Sequence, residues 1–200
     1  PLLGLRQELA LPPVLTERMS FEGFRVVREL HVSDRSHVHL AVDEQTGQPL
    51  VLKLPSVALR DDTAYLERFV LEEWVAQRLH NPHVLRPYAT QRPRTHLYVA
   101  MEYIEGQTLA RWMMDHPAPD LDSVRSLAAQ IAKGLQAFHS KEMLHQDLRP
   151  ENIMIDRSGT AKIIDFGATH VAGLTEGLTD SRQPPAIQGT LPHTAPESST

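Results

Sequence analysis

Asp147, Arg149 and Asn152 stand together in LHQDLRPEN, residues 144–152, where two leucines accompany seven polar or proline residues. A carboxylate can orient an attacking hydroxyl and accept its proton, a guanidinium can sit beside an anionic group, and an amide oxygen can ligate a hard divalent cation. Together these are the protein's share of a phosphoryl transfer. Thirteen residues beyond Asn152, Asp165 ends the predicted strand of IIDFG, and Gly167 lets the chain turn away so that a second carboxylate faces a metal. Asn152 and Asp165 are therefore the candidate metal ligands.

The elements that must position these groups are legible as patterns. In LDSVRSLAAQIAKGLQAFH, Leu121, Val124, Leu127, Ala128, Ile131, Leu135 and Phe138 recur at three and four, which predicts one face of a packed helix. NIMID, the turn RSG and AKIID predict a hairpin around the site. Upstream, FRVVREL, HVHLAVD and LVLKL, with EQTGQP between the last two, predict an antiparallel meander. A helix is expected in DDTAYLERFVLEEWVAQRL, opened by acidic residues and stopped by Pro82, followed by strands in HVLRPYA and HLYVAMEYI. Residues 1–20, with Pro12 and Pro13, show no period and read as a linker or the tail of a preceding domain. The chain then divides into a strand-rich part, 21–105, and a mainly helical part, 106–200.

Composition bounds the function. With 200 residues, 41% hydrophobic and 22% charged, the chain can build one sizeable core or two small ones. A net charge of -5 gives no general attraction for nucleic acid or an anionic membrane, so neither is an expected partner and a phosphate ligand must be held locally. The absence of cysteine excludes disulfides, thiolate metal sites and cysteine nucleophiles, and the expected location is the cytoplasm. No apolar run approaches the roughly 20 residues needed to cross a bilayer. A chain that begins with Pro1 reads as an excerpt.

Taken in order, the motifs resemble those of the protein kinase superfamily, from about Phe21 to Glu197. HQDLRPEN resembles the catalytic loop H-R-D-L-x-x-x-N, DFG the metal-binding signature, and APE at 195–197 the close of an activation segment. VLK, ending at Lys53, is similar to the strand of the phosphate-pairing lysine, and MEYIEG to the hinge. The resemblance implies an α+β, two-lobe fold: an antiparallel five-stranded N-lobe with one helix, and a truncated, mainly helical C-lobe. It implies ATP and Mg2+ as cofactors, a protein substrate, and a serine/threonine kinase in which Lys53, Glu72, Asp147, Arg149 and Asn152 serve catalysis. Nucleotide contacts would come from Leu30, Val38, Val51, Lys53, Met154 and Asp165, with Met101 as gatekeeper and the Glu102 carbonyl and Ile104 amide as hinge contacts. His145 would be a buried support for the loop. Lys53 needs a carboxylate partner, and Glu72 and Glu73 are adjacent. At about 100° per residue, Tyr65, Phe69, Val75, Ala76 and Leu79 fall within roughly 60° of Glu72, while Glu73 lies near the edge of that arc, so Glu72 is the expected partner.

Four departures from the family pattern stand out. Where the family has a glycine-rich loop, this chain reads HVSDRSHV, with His31, Ser33 and Ser36 in the glycine positions. Side chains there are expected to hold the loop away from phosphate or to lend hydroxyl and imidazole donors, weakening nucleotide binding. Gln146 replaces the arginine that pairs with a phosphorylated activation loop, which makes control by loop phosphorylation at Thr175, Thr179, Ser181 or Thr190 a poor fit. Arg149 replaces a lysine and keeps its charge. The chain ends three residues after Glu197, short of the helices that complete the large lobe in the family.

Two other functions compete with an active kinase: a pseudokinase or regulatory domain with weak nucleotide binding, favoured by the altered loop, and a small-molecule phosphotransferase of the same fold. His37 and His39 share a strand face, but no third ligand appears at an obvious spacing, and of the eleven histidines all but His145 read as surface or loop residues. A narrower resemblance, in VRELH, LEEW and MLHQDLRPEN, is to bacterial proteins in which a metal-dependent phosphatase domain precedes the kinase. It implies a covalently linked phosphatase on the N-terminal side.

Overall fold

The computed structural model describes residues 9–172. They form two compact units, one built from the chain up to Gln77 together with Arg86–Tyr103, the other from Arg78–Leu85 and the chain from Ile104 onward.

The first unit is an antiparallel sheet in the order of the chain: β1 (Ser20–Phe21), β2 (Phe24–Val32), β3 (Ser36–Asp43), β4 (Pro49–Pro55) and β5 (Val99–Glu102). Alternation decides its faces. Leu50, Leu52 and Leu54 of β4 are buried with Phe24, Val26 and Ala41, whereas Val51 and Lys53 point the other way. Tyr98 closes this core edge-on to Phe21 and Phe24. The β3–β4 turn needs Gly47 at φ +73, and buried Asp43 pins it by accepting from the amides of Gln45 and Thr46 and from Arg92. Residues 9–20 run along this sheet: Ala10 forms a parallel bridge with His96, and Leu15 joins the core.

A 3-10 turn (Val57–Leu59) leads to α1 (Thr63–Ala76), whose first turn is capped by Asp62, its carboxylate accepting from the Tyr65 amide at 2.9 Å. The helix ends at Ala76, before the expected stop at Pro82. Asn81 provides the reason, since its side chain accepts from the His83 amide at 2.8 Å and donates to the Lys133 carbonyl at 3.1 Å, a local turn incompatible with a continuing helix.

The strand expected over residues 83–89 does not form. Only two isolated bridges remain, Val84 with Ile163 and Pro87 with Met101. Pro87 has no amide hydrogen to donate, and the two bridges belong to different units. The sheet still reaches five strands because Ser20–Phe21, unread in the sequence, supplies one.

The second unit contains β6 (Gly106–Thr108), α2 (Leu109–Asp115), α3 (Leu121–His139), β7 (Met143–Leu144), a 3-10 turn (Pro150–Asn152), β8 (Ile153–Asp156), β9 (Ala161–Ile163) and β10 (His170–Val171). Thr108 and Asp120 cap the two helices. The helix α3 spans the predicted residues, but of its apolar stripe only Phe138 is buried, together with Gly134 beside it, and Leu121 and Val124 are exposed. Periodicity located the stripe, while coverage depends on neighbours, chiefly β7 and β9 among the described residues. No helix among the described residues is long and apolar enough to cross a membrane. The predicted hairpin is β8–β9, with Gly159 at φ +85 in its turn, and β6 adds a third strand at the edge of β8.

Gly106 occupies a place where a Cβ would lie 2.0 Å from the Ile155 carbonyl oxygen. Backbone cannot yield as a flexible side chain can. Gly106→Ala is therefore expected to lower the unfolding free energy by about 1–3 kcal/mol, the usual cost of overpacking, measured by urea titration; wild-type stability would contradict this packing.

Candidate active site

In the first unit the candidate groups lie on the sheet face opposite the leucine core. Register pairs Val38 with Lys53 and Lys53 with Val99, and places Leu40, Val51 and Met101 in the next row. Val38, Val51, Lys53 and Met101 thus share one face, and Leu30 sits in a bulge of β2 between Glu29 and His31. Of the two adjacent glutamates, Glu72 faces inward with Leu66, Phe69 and Val75, and is 2% exposed. Lys53 Nζ donates to both of its carboxylate oxygens at 2.7 Å. Glu73 instead accepts both guanidinium nitrogens of Arg94, at 3.0 and 2.9 Å. Sequence reasoning missed Arg94, which lies 21 positions from Glu73 with no local spacing to reveal it. Tyr65, expected on the stripe with Glu72, donates its hydroxyl to the Arg35 carbonyl, a contact the sequence did not show, and burial raises its pKa.

The β2–β3 turn corrects one expectation. The Ser33 hydroxyl does not reach outward: it donates to the Ser36 carbonyl and accepts from the amides of Arg35 and Ser36 at 3.3 and 3.1 Å. The Ser33 amide also bonds the Ser36 carbonyl, at 3.0 Å. Three amides of the segment that replaces the glycine loop are thus satisfied within it, a self-contained turn whose signal was the pair of serines three apart.

In the second unit, the core under the candidate loop is aromatic. Phe138 of α3 is fully buried, with its ring 5.3 Å from His145 and 5.6 Å from Phe166. Burial lowers the His145 pKa, although Asp165 and Asp147 pull it upward, so the ring is held neutral. Its Nδ1 accepts from the Asp147 amide at 3.3 Å, while the buried Nε2 finds no partner at hydrogen-bonding geometry. Between them Gln146 adopts φ +60, a left-handed conformation uncommon away from glycine. That reversal carries Asp147 to Asn152, whose amide nitrogen donates to the Asp147 carbonyl at 2.9 Å and to its Oδ2 at 3.0 Å. With both N–H groups turned to Asp147, Asn152 Oδ1 is left as the acceptor for a cation.

The β8–β9 pairing, extended by the Ile164 amide donating to the Asn152 carbonyl at 3.0 Å, sets Asp165 beside the start of β8. Asp165 Oδ1 accepts from the Gly167 amide at 2.9 Å, the turn expected at that glycine. An amide oxygen and a carboxylate are hard donors that suit Mg2+, which would neutralise phosphate charge when bound. Arg149 Nε donates to Glu151 at 3.1 Å. Met154, half-buried on β8, pairs with Thr108 and Lys162. Glu102 ends β5, and Ile104 opens the second unit. The APE motif and the activation-segment hydroxyls lie outside the described residues.

The first unit thus carries a five-stranded sheet with an inward lysine–glutamate pair, and the second a loop and hairpin bearing Asp147, Asn152 and Asp165. The family model of the protein kinase domain matches residues 24–198, and the chain belongs to that family, with its α+β two-lobe fold. Among its relatives, the serine/threonine-protein kinase PrkC of Bacillus subtilis is 26% identical over 87% of the chain and 26% of its own length. The serine/threonine-protein kinase PknB of Mycobacterium leprae is 28% identical over 94% of the chain and 30% of its own. A plant protein, the probable serine/threonine protein kinase IREH1 of Arabidopsis thaliana, is 29% identical over 87% and 13%. The chain thus spans less than a third of the length of each of these three.

Lys53 and Glu72 are expected to behave as a coupled pair. Glu72→Leu leaves a mostly buried ammonium without its carboxylate and should cost about 3–5 kcal/mol of unfolding free energy, whereas adding Lys53→Met should restore most of it. Denaturant titration of the four proteins measures the coupling. Additive losses would show that the contact carries no energy.

Proposed function

We propose that the chain is the catalytic segment of a protein serine/threonine kinase, moving the γ-phosphate of ATP to a protein hydroxyl. The observation that carries the reading is the Asn152 clamp on Asp147: it fixes a carboxylate oriented to receive a hydroxyl proton and leaves an amide oxygen for the cation. Lys53, set by Glu72, would hold the nucleotide phosphates, and Arg149 would offer charge to the transferred group. By the family resemblance, Leu30, Val38, Val51 and Met101 of the first unit would be nucleotide contacts, as would the Glu102 carbonyl, and Met154 and the Ile104 amide of the second unit are assigned the same role. Asn152 and Asp165 would hold Mg2+. In the transfer the hydroxyl oxygen forms a bond to the γ-phosphorus as the bond to the bridging oxygen of ADP breaks, and the hydroxyl proton passes to Asp147. The names of the bacterial and plant relatives support a protein as acceptor. A phosphatase domain ahead of this segment is a further proposal from the sequence resemblance, tested by reading the parent gene upstream.

One observation favours a second reading, a kinase-like domain that binds nucleotide weakly: the turn that replaces the glycine loop spends its amides on itself. Labelled ATP, Mg2+ and protein substrates separate the two. Transfer is expected, and Asp147→Asn should reduce it by about 10²–10⁴-fold, the usual share of a positioned proton acceptor. Nucleotide binding without transfer would establish the second reading, and transfer confined to aminoglycosides or choline would establish a small-molecule enzyme.

The turn supplies its own test. Ser33→Gly with Ser36→Gly frees the amides, and the Michaelis constant for ATP should fall roughly tenfold, about the worth of one regained hydrogen bond. An unchanged constant would remove the turn from the account of nucleotide affinity.

A further inference from the structure

On the core side of the first unit's sheet, away from Lys53, three potential metal donors meet. Glu29 of β2 lies directly across from His39 of β3, and His37 follows on the same face two residues earlier. Their ligand atoms all lie within 4.8 Å of one another, the one such grouping among the described residues. His37 Nδ1 is 3.7 Å from Glu29 Oε2, and the two imidazoles are nearly parallel, 6.5 Å apart. The arrangement is made by a bulge. The register of β2 shifts between Val26 and Arg28, which brings Glu29 opposite His39.

A simple ion pair between His37 and Glu29 does not account for His39. That residue is 3% exposed, and its Nδ1 is buried without a hydrogen-bond partner. A native protein rarely leaves such a group unmatched, and a buried imidazole with an unsatisfied nitrogen, set beside a second imidazole and a carboxylate, has the character of a ligand awaiting a cation. A small cavity beside the rings, lined by Pro13, Leu15, Leu54 and Val57 among others, has no polar side chains on its wall except His37 and His39.

We propose that Glu29, His37 and His39 form a binding site for a zinc-class divalent cation, with water completing the coordination. Two imidazoles and one carboxylate suit Zn2+, Co2+ or Ni2+ and are a poor set for Mg2+, so the site is chemically separate from that proposed at Asn152 and Asp165. Because its ligands come from two strands, the ion ties β2 to β3 next to the self-bonded turn.

The test is titration of the purified chain, stripped with chelator, with Co2+ and then Zn2+. One equivalent of Co2+ is expected to give the intense visible absorption of a low-coordinate site, Zn2+ should abolish it stoichiometrically, and excess Mg2+ should leave it unchanged. Losing one of three ligands should weaken binding by more than the roughly 10–100-fold that loss of an outer-sphere partner costs. His37→Ala and Glu29→Gln both change partly exposed side chains and should show this loss with unaltered circular dichroism. Absence of saturable binding at one equivalent, or undiminished affinity in both variants, overturns the proposal.

Discussion

A buried ammonium must have a counter-charge, and much of the first unit is arranged to meet that need. Lys53 stands on the sheet face opposite the leucine core because strand alternation sends it there, and it can persist only if a carboxylate meets it. Glu72 meets it because α1 presents that position in the middle of its buried stripe. The Asp62 cap starts the helix, and the start fixes which residues turn inward. A shift of one residue would have offered Glu73, which the Arg94 guanidinium holds at the stripe's edge. The pairing is therefore a consequence of helix phase, and the second ion pair keeps the neighbouring carboxylate from competing for the same ammonium.

In the second unit the equivalent constraint is on the backbone. Gln146 in a left-handed conformation costs of order 1–3 kcal/mol, and such a conformation survives only where its surroundings over-determine it. Here the surroundings are the neutral ring of His145, wedged against Phe138 and accepting from the amide beyond the reversal, and Asn152, which holds the far side of the loop by two hydrogen bonds. Loop geometry and aromatic core are thus one structure: the ring stays unprotonated because it is buried, and an unprotonated Nδ1 is what can accept from the Asp147 amide.

What the sequence disclosed, and what it hid, follows from the range of each interaction. The helices α1 and α3 and the β8–β9 hairpin were legible because periodicity, caps and turn residues are local. Glu72 was distinguished from Glu73 by angular position on a helix, also a local quantity. The strand read over residues 83–89 failed because its apolar pattern ignored Pro87, and α1 ran too long because the Asn81 turn outweighed the proline as a stop. Pairings such as Arg94 with Glu73, or β6 with β8, join residues far apart in the chain, and composition leaves no trace of them. The Ser33 hydroxyl was misread for a different reason: residue type announced a donor, but the nearest unsatisfied groups lay in its own turn.

That misreading points to how the β2–β3 hairpin differs from a glycine loop. Glycines leave a loop mobile and its amides open, whereas here a serine hydroxyl closes the turn, and two bulges fix the twist of the strand leading into it. Such a hairpin gives up adaptability for shape. One shift, between Val26 and Arg28, places Glu29 opposite His39, and a second, between Glu29 and His31, displaces Leu30, so two irregularities within six residues of β2 act on opposite faces of the sheet. Each shift changes which side chains of β2 meet those of β3, because cross-strand neighbours move together.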